Sequence, residues 1–471
     1  MCYNLLKYIS FGLLAMLVVL LVTSTIVGAV WSASVAHDVI YSSPLFVTLW
    51  GVMLFSSLLY IYYTPMKRVA ASLFLHLALA LVLIGAFVTY ATAERGNLTL
   101  CKGAPPASMF VTNEGLLAKF PFRITLEDCC VEYDKGGNAP SDYIAEISVN
   151  TSEANKELVR ISMNRIYDRE GYRFCLSSVT DDCVTLLVSH DPWGIFISYS
   201  GYMLSFIGFV FLFVSRNTLR YMLVKKLEAI GYPRIKITSF QWFSILTASL
   251  LLFAVISYFG ISRWVDNGVF PVSNGAETLM FIAWCFFLSV VFFRKNRSLA
   301  FGSFGFAIMC AAISLSSGVA TSGYVLPVLR TPLLPLHVIT IVTSYVFIGL
   351  LAFNALVSLV VYWYNGDYER LENRAISGRV MLYYATWLLI TGIFLGAAWA
   401  NVSWGRYWGW DPKEVWALIT LFICSFGFHT RSLPFMARPL VFHYFCIVAF
   451  LAVLFTYFGV NYLLGGLHSY A

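Results

Sequence analysis

The chain has 471 residues, of which 59% are hydrophobic and only 12% charged, with a net charge of +7. Soluble domains carry about 25% charged residues, so this composition excludes a water-soluble globule and identifies a multi-span membrane protein. The basic surplus follows the apolar spans, where Lys and Arg gather on one side of the membrane, and nucleic-acid binding is not indicated.

Eleven stretches are apolar over the roughly twenty residues that a helix needs to cross about 30 Å of hydrocarbon. They lie near 11–30, 44–63, 69–91, 194–215, 240–260, 276–293, 299–318, 337–363, 380–400, 415–430 and 440–462. The first follows only Lys7 and is not succeeded by a small-x-small cleavage site, so it reads as a retained helix. The tenth is short and borrows its first turn from the segment before it. With the N-terminus cytoplasmic, seventeen basic residues fall on that side, among them Lys7, Lys67, Arg68, Arg294, Lys295, Arg297 and Arg438. The short loops of the other side receive four: Arg263, Arg330, Arg406 and Lys413. This asymmetry sets the orientation. The segment after Thr92, the interval 399–416 and the C-terminal tail then face outward.

Residues 93–193 are the one polar stretch long enough for a soluble domain. Strand-like runs at 120–126, 142–149, 157–163, 173–177 and 184–188, separated by Gly136-Gly137, Asn155 and Gly171, predict a small β domain, either sandwich or barrel. It holds five of the ten cysteines, Cys101, Cys129, Cys130, Cys175 and Cys183. An outward location permits a disulfide, and the odd count leaves at least one thiol over. The absence of CxxC gives a thioredoxin-like exchange centre no support. The basic stretch 216–239, with Tyr232-Pro233 near its end, divides two units. The expected fold is an all-α polytopic membrane protein of about 11 transmembrane helices with one inserted extracytoplasmic small β domain. Its parts are spans one to three (1–92), the β domain (93–193), span four with a basic cytoplasmic linker (194–239), and a seven-span domain (240–471).

Five of thirteen tryptophans fall between Trp399 and Trp416, beside Gly405, Arg406, Tyr407, Gly409, Asp411, Lys413 and Glu414. Indoles are favoured at the membrane interface, which accounts for one or two of them. Two readings stay open here: an interfacial anchor, or an aromatic shelf that holds something flat and partly charged.

Topology sorts the seven histidines. His337 begins the eighth span on the outer side and His468 lies in the outer tail, so two imidazoles flank the shelf. His76, about 10 Å from the cytoplasmic edge by helix rise, and His429 stand at similar depth in spans three and ten. An ionisable side chain inside a span is costly without a partner, so a second imidazole pair forms there if the two spans are neighbours. His443 is a rival for either role, each histidine taken alone also suits an ordinary hydrogen-bonded residue, and His37 and His190 read as solvated. The arrangement fits an iron porphyrin, with a flat macrocycle on indoles, axial imidazoles, and Arg406 or Lys413 meeting propionates. Zinc lacks HExxH or paired CxxC, and hydrolase and phosphate-loop motifs are absent.

The run Trp404-Gly405-Arg406-Tyr407-Trp408-Gly409-Trp410-Asp411-Pro412-Lys413-Glu414-Val415-Trp416 resembles the signature of the tryptophan-rich haem-handling membrane proteins of cytochrome c maturation. Within that group the chain resembles the system II cytochrome c synthase in its fused form. Phe270–Leu279, Pro332–His337 with Ser344-Tyr345, and Asn461–Ala471 carry the likeness through the C-terminal half. His76–Ala80, Gly85-Ala86-Phe87, Tyr172-Arg173-Phe174 and Asp191-Pro192-Trp193-Gly194 carry it, less sharply, through the N-terminal half.

The resemblance implies that haem b is the substrate, entering at an inner pair, His76 and His429, and reaching an outer pair, His337 and His468, with all four as iron ligands. It implies a haem-lyase-type activity that joins haem through thioethers to the CxxCH segment of apocytochrome c. The catalytic set it points to is His337, His468, Trp404, Trp408, Trp410 and Asp411, with Arg406, Tyr407, Trp408, Trp410 and Lys413 holding the ring. Apocytochrome c, thiol-reducing proteins and membrane lipid are the expected partners, and the bacterial inner (cytoplasmic) membrane the expected location. The competing expectation is a haem chaperone or scaffold that presents haem to a separate ligation protein; a small-solute transporter is a weaker third.

Overall fold

The computed structural model describes residues 2–133, 140–152, 155–231, 238–317 and 326–464. The chain starts with α1 (Cys2–Val30), α2 (Ala33–Ala36), a π-helical turn at His37–Tyr41, α3 (Pro44–Tyr63) and α4 (Ala70–Thr92). Eight strands follow: β1 (Glu94–Cys101), β2 (Ala107–Thr112), β3 (Leu117–Tyr133), β4 (Pro140–Ser152), β5 (Asn155–Ser162), β6 (Tyr167–Arg169), β7 (Tyr172–Val179) and β8 (Cys183–His190). The chain then re-enters the helical layer as α5 (Gly194–Val214), α6 (Leu219–Ile230), α7 (Ser239–Asn267), α8 (Gly275–Phe292) and α9 (Arg297–Ser316). It ends with α10 (Leu333–Asn365), α11 (Tyr368–Trp404), α12 (Pro412–Phe426) and α13 (Pro439–Leu454), the last continued by a π-helical segment, Phe455–Leu464.

Among the described residues, ten helical stretches are long and apolar enough to cross a membrane. The remaining expected span, 415–430, is α12, whose 15 residues rise only about 22 Å and fall short of the hydrocarbon thickness. Its first turn, Pro412 to Glu414, does come from the tryptophan-rich interval. The interval itself is shorter than expected. No proline occurs between Tyr368 and Gly405, and α11 runs on through Trp399 and Trp404 and leaves 405–411 as the loop. The expected linker 216–239 also differs, because Leu223 and Leu227, at helical spacing, bury α6 against Ile376 and Val380 of α11. Tyr232-Pro233 lies outside the described residues.

α10 and α11 are the most enclosed helices, and their Val346, Leu350, Leu382 and Leu389 meet Phe287 of α8 and Phe442 of α13 in the main core. The run Phe270–Leu279 organises the start of α8. Asn274 caps that helix, while the buried Glu277 accepts from the Ser273 hydroxyl at 2.7 Å and pairs with Arg263. α4 and α5 cross where their side chains are smallest. A Cβ on Gly85 would lie 2.4 Å from Ser198 Oγ, and one on Gly201 would lie 2.8 Å from the Val82 backbone nitrogen. Small residues let membrane helices approach backbone to backbone, where dispersion and hydrogen bonds act at short range.

The strands form one antiparallel sheet in the order β5-β4-β3-β2-β1-β8-β7-β6. It curls so that Phe120 and Phe122 of β3 meet Phe174 of β7 across a single core with Leu98, Ile147 and Leu186. Ladder pairing brings β1, β2 and β6 into the sheet beyond the five expected runs. β1 is hard to read because Glu94, Arg95, Asn97 and Thr99 outweigh its buried Leu98 and Leu100. First and last strands pair along their whole length, from Glu94 opposite His190 to Cys101 opposite Cys183, and a Cys101–Cys183 disulfide joins their far ends. Both therefore rise side by side from α4 and α5.

The close α4–α5 crossing yields a direct expectation. Gly85→Val should destabilise the full chain by about 1–3 kcal/mol, as overpacked sites do, and lower its melting temperature in detergent. Gly12→Ala, inside α1 where an added methyl would meet nothing within 4 Å, should not lower the melting temperature, because alanine is the better helix former.

Candidate functional site

The tryptophan-rich loop is fixed at both ends by backbone chemistry. α11 terminates on Gly405 in the left-handed region (φ 69°), where glycine adopts the conformation without strain. A side chain there would also lie 2.9 Å from Cys175 Sγ on β7. Trp410 holds a left-handed φ of 56°, unusual for a bulky residue. Asp411 then caps α12, its carboxylate accepting from the Lys413 amide at 3.0 Å. The Glu414 carboxylate reaches back to the amides of Gly409 (2.8 Å) and Asp411 (3.1 Å), completing a capping box.

Among the described residues, the five indoles are divided over several separate contacts. Trp399 is fully buried and meets Trp404 edge-on at 4.7 Å at the end of α11. Trp410 stacks on Tyr41 at 4.6 Å and meets Phe46 edge-on, so it docks the loop onto the N-terminal helices. Trp416 packs on Phe455 at 4.1 Å and donates to Thr25 at 3.3 Å. Trp404 and Trp408 are half-buried; Trp408 meets Trp410 edge-on at 5.7 Å, and its indole N–H has no acceptor among the described residues.

Tyr407 is buried, and its hydroxyl donates to Thr89 of α4 at 2.9 Å while accepting from Ser198 of α5 at 3.1 Å. Thr89 in turn donates to Asp191 at 2.6 Å, and Asp191 accepts the Gly194 amide at 2.8 Å. Burial pushes the Tyr407 phenol above its ordinary pKa, so it stays a donor in this chain of bonds. Thr89, Ser198 and Asp191 are not among the expected site residues; only the Asp191–Gly194 run carries a sequence signal. Arg406 folds back over Gly409, and burial brings the Lys413 ammonium down to about 8, so its charge is lost just above neutral pH.

The histidines separate by which ring nitrogen is engaged. His76 and His429, 353 positions apart, are brought together with ring centroids 6.0 Å apart and planes at 86°. Each donates its Nδ1–H to the carbonyl four residues earlier on its own chain, Ser72 at 2.7 Å and Ser425 at 2.8 Å. A carbonyl can only accept, so both rings are the tautomer with a lone pair on Nε2. His337 donates Nδ1–H to Gly392 of α11 at 2.7 Å, and its ring lies where a Cβ on Gly396 would be, one turn before Trp399. His443 is fully buried and engages Nε2 instead, with Leu371 at 3.0 Å, apart from the other two. His37 is exposed, and His190 stacks on Tyr172 at 4.2 Å rather than standing free in solvent. His468 lies outside the described residues. Among those described, no three His, Cys, Asp or Glu side chains converge as a multidentate metal centre requires.

Residues 272–468 match the family described as Cytochrome C assembly protein, and residues 66–191 match the ResB-like family. The chain is 33% identical over 231 residues to protein NrfI of Wolinella succinogenes, covering 47% of this chain but only 25% of that protein's length. It is 32% identical over 265 residues to the cytochrome c biogenesis protein CcsA of Chlamydomonas reinhardtii, covering 53% of this chain and 70% of the relative. With CcsA of Gloeobacter violaceus the identity is 30% over 288 residues, 46% of this chain and 83% of the relative. The ResB-like match spans α4 and the sheet, and the assembly match spans α8 to the tail. The chain therefore belongs to the cytochrome c biogenesis family of the fused system II type.

Proposed function

We propose that the chain accepts haem from the cytoplasmic side between His76 and His429, passes it to the outward surface at Trp404 and Trp408, and attaches it to the CxxCH segment of apocytochrome c. The observation that carries this reading is the meeting of the two imidazoles from opposite halves of the chain, each with Nδ1 engaged and Nε2 available. A hydrogen bond from Nδ1–H to a carbonyl orients an imidazole and raises the basicity of Nε2, as at many metal ligands. His337 and His468 would hold the iron at the outer surface, with Asp411 and Glu414 keeping the loop in register and Arg406 and Lys413 near the propionates.

Thioether formation is an addition. Each cysteine S–H adds across a haem vinyl, the sulfur bonding to the carbon next to the ring and the hydrogen going to the terminal carbon, with no net redox change. The protein's contribution is proximity, because two thiols and two vinyls must coincide. The thiols must arrive reduced, so thiol-reducing proteins are proposed partners. The histidine of CxxCH then replaces one outer imidazole on the iron, releasing the product. The bacterial inner membrane, with the sheet outside, is the proposed setting, supported by the distribution of basic residues.

Two outcomes are expected. His76→Ala/His429→Ala, co-expressed with a CxxCH apocytochrome and no other maturation factor, should lower covalent haem on the cytochrome at least tenfold. Wild type should give covalent product in the same cells; haem bound to the chain without covalent cytochrome would favour the chaperone reading. Tyr407→Phe should cost about 1–3 kcal/mol, because it leaves buried hydroxyls of Thr89 and Ser198 short of a partner. Faster tryptic cleavage after Arg406 and a lower melting temperature would register it.

A further inference from the structure

One face of the β sheet is turned to the tryptophan-rich loop. Gly96 and Leu98 of β1, Leu186 and Val188 of β8, and Phe174 and Leu176 of β7 are buried toward the domain core. Alternation along a strand puts Arg95, Ser189, Arg173 and Cys175 on the other face. The ladders place Arg95 opposite Ser189 and Ser189 opposite Arg173. Two arginines therefore flank a small buried serine, about 10 Å apart from one backbone to the other at two strand spacings. The same face touches the loop, where Cys175 Sγ packs on Gly405.

A third guanidinium enters from the loop side. Burial and, after it, the neighbouring charge of Arg406 hold Arg95 below its ordinary pKa, so the two guanidinium groups lie near each other. The carboxylates present are already engaged. Asp168 holds Nε of Arg173 at 3.0 Å, and Asp191, though near Arg95, has its two oxygens on the Thr89 hydroxyl and the Gly194 amide. The Nε of Arg95 and the Nη1 of Arg173 are buried with no acceptor among the described residues. Enclosed guanidinium donors without an acceptor favour an oxyanion, and their planar forks match carboxylates.

We propose that Arg95, Arg173 and Arg406 together form the site that receives the two propionates of haem when the ring rests against Trp404 and Trp408. The inference rests on the haem-handling reading above and adds the β domain to the site. It gives that domain a role in orienting the substrate. With both propionates held at the sheet, the ring edge bearing the vinyls is turned away from the sheet, toward arriving thiols. The phosphate of an outer-leaflet lipid offers the same oxyanion chemistry and is separated by the test.

The experiment uses the purified full chain in detergent with two probes, ferric protoporphyrin IX and its dimethyl ester, which keeps ring and iron but lacks the carboxylates. Wild type should bind the ester at least tenfold more weakly. Arg95→Gln and Arg173→Gln should each erode that preference severalfold by weakening haem and not the ester, and Arg95→Lys should restore most of it. Equal binding of the two porphyrins by wild type, or an undiminished preference in both glutamine variants, would overturn the assignment. So would displacement of haem by added phosphatidylglycerol at equivalent concentration, which would make the site a lipid site. Wild type binding neither porphyrin would instead remove the haem-handling reading itself.

Discussion

A neutral imidazole carries one lone pair, and the hydrogen bond made by its other nitrogen decides where that lone pair sits; the rest of the site depends on how this chain fixes it. His76 and His429 each use the carbonyl one helical turn earlier, Ser72 and Ser425. The bond is local, so each ring is fixed in tautomer by its own segment. What the tertiary fold adds is the 6.0 Å approach of the two rings, one from each half of the chain. His443 is the opposite tautomer: its Nε2–H goes to Leu371, which leaves the lone pair on a buried Nδ1, and its ring packs on Phe442 where His76 and His429 meet each other.

The two halves are joined at the sheet end by matching small and polar contacts. Gly85 and Gly201 bring α4 and α5 together, and that places Thr89 and Ser198 on either side of the Tyr407 hydroxyl. Trp410 adds an apolar anchor on Tyr41 and Phe46. Burying the chain Ser198, Tyr407, Thr89, Asp191 and Gly194 is tolerable only because each donor finds an acceptor; removing one link leaves the others short in a low-dielectric region. The loop is therefore held from outside its own module, and the ResB-like half contributes to the geometry of the assembly half.

Much of this is legible in the sequence, for definite reasons. Hydropathy locates the spans and sets His76 and His429 at similar depth, since helix rise converts residue number into height. It cannot say that α4 lies beside the segment after α12, because helix neighbours are chosen by packing between elements far apart in the chain. The concentration of tryptophans is plain, but the end of the helix is not: Trp399 and Trp404 belong to α11, and the breaker is the glycine that follows. Arg95 and Arg173 are inconspicuous because charged residues at alternate strand positions look like ordinary solvated surface; only the ladder register shows them on either side of Ser189. The Cys101–Cys183 pairing is one of several that five cysteines allow, and it follows from β1 and β8 being neighbours.

The most direct test of the central claim is a structure of the full chain purified with haem, read at the His76–His429 level. The account predicts iron between the two rings, ligated through Nε2 of each while both Nδ1 atoms keep their bonds to Ser72 and Ser425. A porphyrin bound with neither imidazole on its iron, or no porphyrin between α4 and the α12–α13 connection, would contradict it.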